Sequence, residues 1–203
     1  MTSKEHWEEV YKKKQPTEVS WYQTHLQKTL ELILKTGIGK EASIIDVGGG
    51  ASTLADDLLA KGFSDLTVLD ISSEALNQSK KRLGEKSKAV KWVEADLLKA
   101  DVPKNTFDLW HDRAVFHFLT QPEERKVYLE VLKQSIKPGG SVIIASFNLE
   151  GPPKCSGLEV MRYSPETLAR EFGKDFTFIT SVNERHKTPF DTLQDFVYCV
   201  FRK

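Results

Sequence analysis

The sequence predicts an α/β protein organised around a mainly parallel sheet, and three observations carry that prediction. Short apolar segments alternate with amphipathic stretches of roughly ten to fifteen residues, the signature of βαβ units. The segments are apolar almost without a break, as strands covered on both faces should be. The last two, Phe176 to Val182 and Phe196 to Phe201, have no helix between them. Joined by Asn183 to Asp195, they should pair antiparallel at a sheet edge.

The elements follow in order. Ser3 to Lys14 reads as a short helix, with Trp7, Val10 and Tyr11 at helical spacing, and Pro16 breaks it. Leu26, Leu30, Ile33 and Leu34 form the stripe of a second helix ending near Gly37 and Gly39. Ser43 to Val47 is a strand, Gly48 to Gly50 a turn, and Leu54, Leu58 and Leu59 mark the helix behind it. Leu66 to Leu69 is the next strand, and Ala75 to Leu83 the next helix, with Ser72 and Ser73 able to cap it. Val90 to Val93 and Phe107 to Trp110 are strands. Pro122 to Ile136 is a long amphipathic helix, Lys137 to Gly140 a turn, and Ser141 to Ala145 a strand. Glu166 to Phe172 is a short helix before the final pair.

Length and composition are those of one ordinary domain. A chain of 203 residues fits a prior of roughly 150 residues per domain. It can bury roughly 70% of its unfolded surface unaided. With 39% hydrophobic and 29% charged residues it is neither disordered nor collagen-like. Lys plus Arg and Asp plus Glu are both 29, so the formal charge is zero and no general attraction to nucleic acid or an anionic membrane is expected. Cys155 and Cys199 are too few for a disulfide framework and read as reduced thiols. Met1 to Lys14 lacks the apolar run of a signal peptide, and no stretch approaches the ~20 apolar residues that span a bilayer. A cytoplasmic protein, monomeric or weakly dimeric, is expected.

The informative segment is Asp46-Val-Gly-Gly-Gly50-Ala-Ser52. Glycines after a first strand let backbone approach a ligand, and the following helix offers free N–H groups to an anion. Taken alone this is equally an ordinary strand-to-helix turn. Three acids shift the balance. Asp46 stands two residues before Gly48. Asp70 ends the second strand, 20 residues after Gly50, where an acid can take the two hydroxyls of a ribose. Asp96 ends the third strand, where it can accept from an adenine amino group. All three fall at carboxyl ends of adjacent parallel strands, the edge where open α/β sheets bind ligands.

This set resembles the class I S-adenosylmethionine-dependent methyltransferases. The resemblance runs from about Ser43 to Lys203 and rests on Ile44-Ile-Asp-Val-Gly-Gly-Gly50, Val68-Leu-Asp-Ile71, Val93-Glu-Ala-Asp96, Phe107-Asp-Leu109, His117-Phe-Leu119 and Ile136-Lys-Pro-Gly-Gly140. Within the class it looks like small bacterial-type members with Trp110-His-Asp-Arg-Ala114 and Cys155-Ser-Gly-Leu158. The resemblance implies a doubly wound seven-stranded sheet, order 3-2-1-4-5-7-6 with the last strand antiparallel. It implies one domain over 1–203, with 1–40 as a helical lid and 41–203 as the core. S-adenosyl-L-methionine is the implied cofactor, and no metal. Gly48, Gly49 and Gly50 would lie against the methionyl part, Asp46 near its ammonium, and Asp70 on the ribose. Ile71 would pack on the adenine, while Asp96 and the Leu97 N–H read its edge. His111 and Trp21 complete the expected cofactor shell. The family usually has a third glycine where Ser52 stands; serine is small and can still cap the helix. A nicotinamide enzyme would need glycine at position 53, where Thr53 stands.

The fourth strand leads into Trp110-His111-Asp112-Arg113 and Val115-Phe-His117-Phe118, and its end faces the transferred methyl group in this fold. His111, Asp112 and His117 are therefore the catalytic candidates. Each has a structural alternative. His117 lies in an apolar run, where a hydrogen-bonded core histidine is expected, and Asp112 and Arg113 can pair with each other. His111 is the best placed of the three for the cofactor or acceptor. Base amino methylation is disfavoured, because Asp112-Arg-Ala-Val115 stands where an Asn/Asp-Pro-Pro-aromatic stretch would be. No acid cluster of a magnesium-dependent catechol enzyme and no zinc-like Cys/His spacing is present.

The loop Asn148 to Arg162 should hang over the pocket. Its Cys155 suits thiol or arsenic chemistry, although a lone loop cysteine is more often passive. His186, in the final connection, is either an acceptor contact or a surface residue. Trp7, Tyr11, Trp21 and Tyr22 suit a lid or a packed helix. The acceptor is expected to be a small molecule, since little chain lies beyond the core to dock a protein; a lysine side chain is the alternative. A cofactor-binding scaffold without chemistry is a further class.

Overall fold

The computed structural model describes residues 3–203; Met1 and Thr2, the first residues of the expected domain, lie outside them. The chain runs α1 (Ser3–Lys13), α2 (Gln27–Lys35), β1 (Ser43–Val47), α3 (Leu54–Ala60), β2 (Asp65–Asp70), α4 (Ser73–Leu83), β3 (Val90–Glu94) and β4 (Phe107–Arg113). It continues with α5 (Pro122–Ser135), β5 (Ile136–Phe147), the small hairpin strands β6 (Lys154–Cys155) and β7 (Leu158–Glu159), α6 (Pro165–Phe172), β8 (Thr177–Lys187) and β9 (Leu193–Arg202). The main sheet has seven strands in the order β3-β2-β1-β4-β5-β9-β8. With the hairpin set aside, this is the expected 3-2-1-4-5-7-6. β1 to β5 are parallel, and β9 is antiparallel to both β5 and β8.

Strand parity sorts the core into two layers, because successive side chains point to opposite faces. Ile44, Leu109, Ile143, Ala145 and Phe147 meet the apolar stripes of α2, α3 and α4 on one face. Ile45, Val47, Trp110, Val142 and Ile144 meet α5 and α6 on the other. Caps agree with the breaks. The Ser72 side chain accepts from the Ala75 N–H at the start of α4. Pro122 opens α5 behind a Gln121–Glu124 capping box.

Two expectations change. The Lys137–Gly140 turn lies within β5. Ile136 pairs with Phe107, the register then shifts, and pairing resumes at Leu109 and Ser141. The four residues bulge from the ladder, with Gly139 at φ +77°. The final strands are longer than their apolar cores: β8 runs on through the polar stretch to Lys187, and β9 starts at Leu193. The connection shrinks to Thr188–Thr192, tied by the Thr188 N–H donating to the Thr192 carbonyl (2.8 Å). His186 consequently sits in a strand. It is buried, and is no surface-loop residue.

Candidate functional site

The site lies at the carboxyl edge of β1, β2, β3 and β4, under α1 and the segment after it. Asp46 and Asp70 are both buried there. The Asp70 carboxylate accepts the Gly50 N–H (2.9 Å) and the Ser72 N–H (2.8 Å), which fixes it at the head of α4. Burial outweighs these bonds and pushes its pKa up to about 6. Asp46 Oδ1 accepts from His111 Nδ1 at 2.7 Å, while Oδ2 is enclosed with no partner. The glycines serve these acids. A Cβ on Gly49 would stand 2.2 Å from Asp46 Oδ2, and one on Gly50 2.5 Å from Asp70 Oδ2. Gly48 is at φ +67°, a conformation that favours glycine.

A cavity of about 370 Å³ opens beside this turn. Gly48, Asp70, Ile71, Asp96 and Leu97 lie on its wall. Asp96 is also held by the Leu98 N–H (3.1 Å) and by Lys99 (3.0 Å). A smaller cavity behind it is bordered by Asp46, Gly48, Gly49 and His111, and Trp21 and Arg113 border both. Gly50 borders neither.

The end of β4 differs from the sequence reading. His111 is held between Asp46 and the Thr29 hydroxyl (3.3 Å). Asp112 is fully enclosed and borders neither cavity. It accepts the Tyr128 hydroxyl (2.6 Å) and the N–H groups of Val115 (2.9 Å) and Phe116 (3.1 Å), so it pins the turn after β4. Burial raises its pKa to about 6. Asp112 and Arg113 do not pair, since neighbours on a strand face opposite ways. His117 is buried, but neither ring nitrogen has a partner, so it is no hydrogen-bonded core histidine. It stands between Phe118 and Phe147, and burial lowers its pKa to about 3.

Arg113 carries the signal that the sequence reading missed. Its Nε–H donates to the Tyr198 hydroxyl (3.1 Å) and Nη1 donates to the Trp21 carbonyl (3.0 Å). The guanidinium lies over the Phe196 ring, and Nη2 has no partner.

The roof is the N-terminal segment. Trp7, Tyr11 and Trp21 form a tilted and edge-on aromatic cluster over the larger cavity, and Trp7 meets Phe118. His186 ties that segment down. Its Nε2–H donates to the Ser20 carbonyl (2.7 Å), and Nδ1 accepts from Gln23 (3.1 Å). Of the loop Asn148 to Arg162, Cys155 reaches the cavity wall, and burial pushes its thiol up to about 12. Among the described residues no cluster of His, Cys, Asp or Glu could hold a metal ion, and no helix is long and apolar enough to cross a membrane.

These features fit S-adenosylmethionine. Asp70 is a buried acceptor poised for hydroxyl donors, and the enclosed Asp46 Oδ2 lacks the cation that an ammonium would supply. A family model described as a methyltransferase domain matches residues 44–140, from β1 to the bulge of β5. The protein is an S-adenosylmethionine-dependent methyltransferase. S-adenosyl-L-methionine is the cofactor of this methyltransferase.

The chain is 28% identical over 160 residues to the zebrafish (Danio rerio) EEF1A lysine methyltransferase 2, covering 72% of this chain and 69% of that protein. It is 26% identical over 129 residues to the mouse (Mus musculus) eEF1A lysine and N-terminal methyltransferase, covering 64% of this chain and 18% of that one. The methyltransferase thus spans less than a fifth of the length of this second relative. Among solved structures, one described as converting a disulfide bond into a thioacetal group during echinomycin biosynthesis superposes with a TM-score of 0.80. Its identity is 19%, with 100% of this chain and 92% of that chain covered, a likeness of fold.

Proposed function

We propose that this methyltransferase transfers the cofactor's methyl group to a small-molecule acceptor held between Arg113, Phe118 and the indoles of Trp7 and Trp21. The observation that carries this reading is the roof. Trp7, Tyr11 and Trp21 roof the site, and its cavity of about 370 Å³ is at the small end of ligand pockets. The adenosyl part of the cofactor and the acceptor must share that volume, which suits a compact acceptor.

In this reading Asp70 takes the ribose hydroxyls and Ile71 packs on the adenine. Asp96 and the Leu97 N–H read the adenine edge, and Asp46, oriented by His111, faces the ammonium. The bound cofactor supplies a sulfonium methyl group, open to in-line attack by an acceptor lone pair. The chain's contribution is positioning and exclusion of water. Asp112 and His117, enclosed away from the cavity, shape the turn that presents Arg113 and Phe118. The acceptor therefore brings its own available lone pair.

A lysine acceptor is the second reading, favoured by the names of the curated relatives. Arg113 weighs against it, because a guanidinium with no carboxylate partner repels an approaching ammonium. The test is transfer of labelled methyl from S-adenosylmethionine in cell extract, followed by ultrafiltration. Label in the filtrate that depends on the protein is the expected result. Label retained on a protein band would favour the lysine reading.

A further inference from the structure

The guanidinium of Arg113 is short of partners. Arginine has five N–H donors. One on Nε and one on Nη1 have acceptors, Tyr198 and the Trp21 carbonyl, both uncharged. Nη2 is enclosed and unpaired. The nearest acid in the network, Glu184, is reached only through the Tyr198 hydroxyl, which donates to Glu184 Oε2 (2.9 Å). No ion pair includes Arg113 among the described residues. Its charge is felt by its neighbours: burial first, and then the Arg113 charge, lowers the basicity of His117 and His186. A half-buried cation in this state is costly unless something anionic joins it.

The position says what could join it. Arg113 borders both cavities, at the end of β4 and beneath the roof segment. The smaller cavity is also bordered by Asp46, whose Oδ2 is enclosed and unpaired. One wall thus offers an unsatisfied cation and an unsatisfied anion. Lysine would not substitute, because the planar fork of arginine matches a carboxylate with two parallel bonds.

We propose that Arg113 is the carboxylate-binding residue of this cavity, receiving an anionic group carried in by a small molecule. The proposal rests on the cofactor reading above and adds to it a residue and a ligand chemistry. The carboxylate has two sources, the amino-acid end of the cofactor and an acidic acceptor. With Asp46 on the same cavity, the first would make a site for an α-amino acid head. The second would make the acceptor an acid.

Calorimetric titrations of the full-length protein separate these. The variants are Arg113→Met, which removes the charge at similar length, and Arg113→Lys, which keeps charge without the fork. The probes are S-adenosylhomocysteine and 5′-methylthioadenosine, which lacks the amino-acid end. Benzoate is then titrated into protein saturated with S-adenosylhomocysteine. If the carboxylate is the cofactor's, Arg113→Met weakens S-adenosylhomocysteine roughly tenfold or more. Methylthioadenosine is then unaffected, and Arg113→Lys falls between. If it is the acceptor's, S-adenosylhomocysteine binds all three proteins alike, and benzoate saturates only the wild type. Either result supports the subsite. Equal behaviour of wild type and both variants toward all three probes overturns it. Wild-type protein that binds neither nucleoside overturns the cofactor reading, and the subsite with it. Melting temperatures of the variants separate a lost contact from a lost fold, and Arg113→Lys serves if Arg113→Met does not fold.

Discussion

At the scale of single residues, the notable fact is how few of the titratable groups at the end of β4 face the cavity. Asp112 is occupied by one hydroxyl and two N–H groups, so removing it leaves all three unpaired. Asp112→Ala should cost about 3 kcal/mol and lower turnover and melting temperature together. Turnover lost at an unchanged melting temperature would instead assign Asp112 to the chemistry. His117 makes the opposite case. Its imidazole takes no proton in the fold until about pH 3, whereas an unfolded chain protonates it near its ordinary value of 6.5. Stability from this residue is therefore present above about pH 6.5 and lost progressively as pH falls below it. His117→Leu removes the unpaired nitrogens, and its advantage over wild type should grow to about 2 kcal/mol between about pH 7 and pH 5. Thermal melts at the two pH values decide this, and a constant difference would contradict it.

At the scale of elements, the roof is fastened by capping as much as by aromatic packing. The Glu8 carboxylate in α1 accepts the Ser73 N–H (2.7 Å), the Ser73 hydroxyl (2.9 Å) and the Glu74 N–H (3.4 Å), all at the first turn of α4. It satisfies free donors and opposes the positive end of the helix dipole. Glu8→Gln should cost about 1 kcal/mol in a urea melt. It should also weaken S-adenosylhomocysteine several-fold by titration; undiminished affinity would mean that α1 does not govern the site. Nothing in the sequence announced this contact, since Glu8 and Ser73 are 65 positions apart and each has an ordinary local role as helix acid and cap. The strands were legible for the opposite reason. β1, β2 and the part of β5 after its bulge are covered on both faces, so each is buried nearly throughout and mostly apolar. β8 was legible only up to Val182, because beyond it Asn183, Glu184 and Arg185 lie at an edge where solvent tolerates them and β9 supplies the ladder. The Lys137–Gly140 bulge was visible as a turn, but local chemistry does not say that a turn rejoins the same ladder.

At the scale of the whole molecule, a ligand that bridges the strand edge and the roof should act on global stability. S-adenosylhomocysteine at about a hundred times its Kd adds about 2.7 kcal/mol to the folded state. For a chain of this size that is a rise in Tm of about 5–10 °C. Deleting residues 1–20 should shrink that rise more than it lowers the Tm of the free protein; a full rise in the truncated chain would make the roof incidental. That Asp46, Asp70, Asp96 and the Gly48–Gly50 turn gather at one sheet edge was readable because their spacing along βαβ units fixes where they meet. Arg113 was passed over because its meaning depends on what it lacks, a partner, and a linear sequence does not display a missing contact.

The arrangement of the indoles has an optical consequence. The chain has four tryptophans. Trp7 and Trp21 border the larger cavity, while Trp110 is sealed in the core against Tyr128 and Trp92 is bonded to the Ser87 carbonyl. Two of the four indoles thus stand at the cavity wall and two in surroundings outside it. Intrinsic fluorescence should therefore report occupancy without any label, against a background the protein itself holds constant.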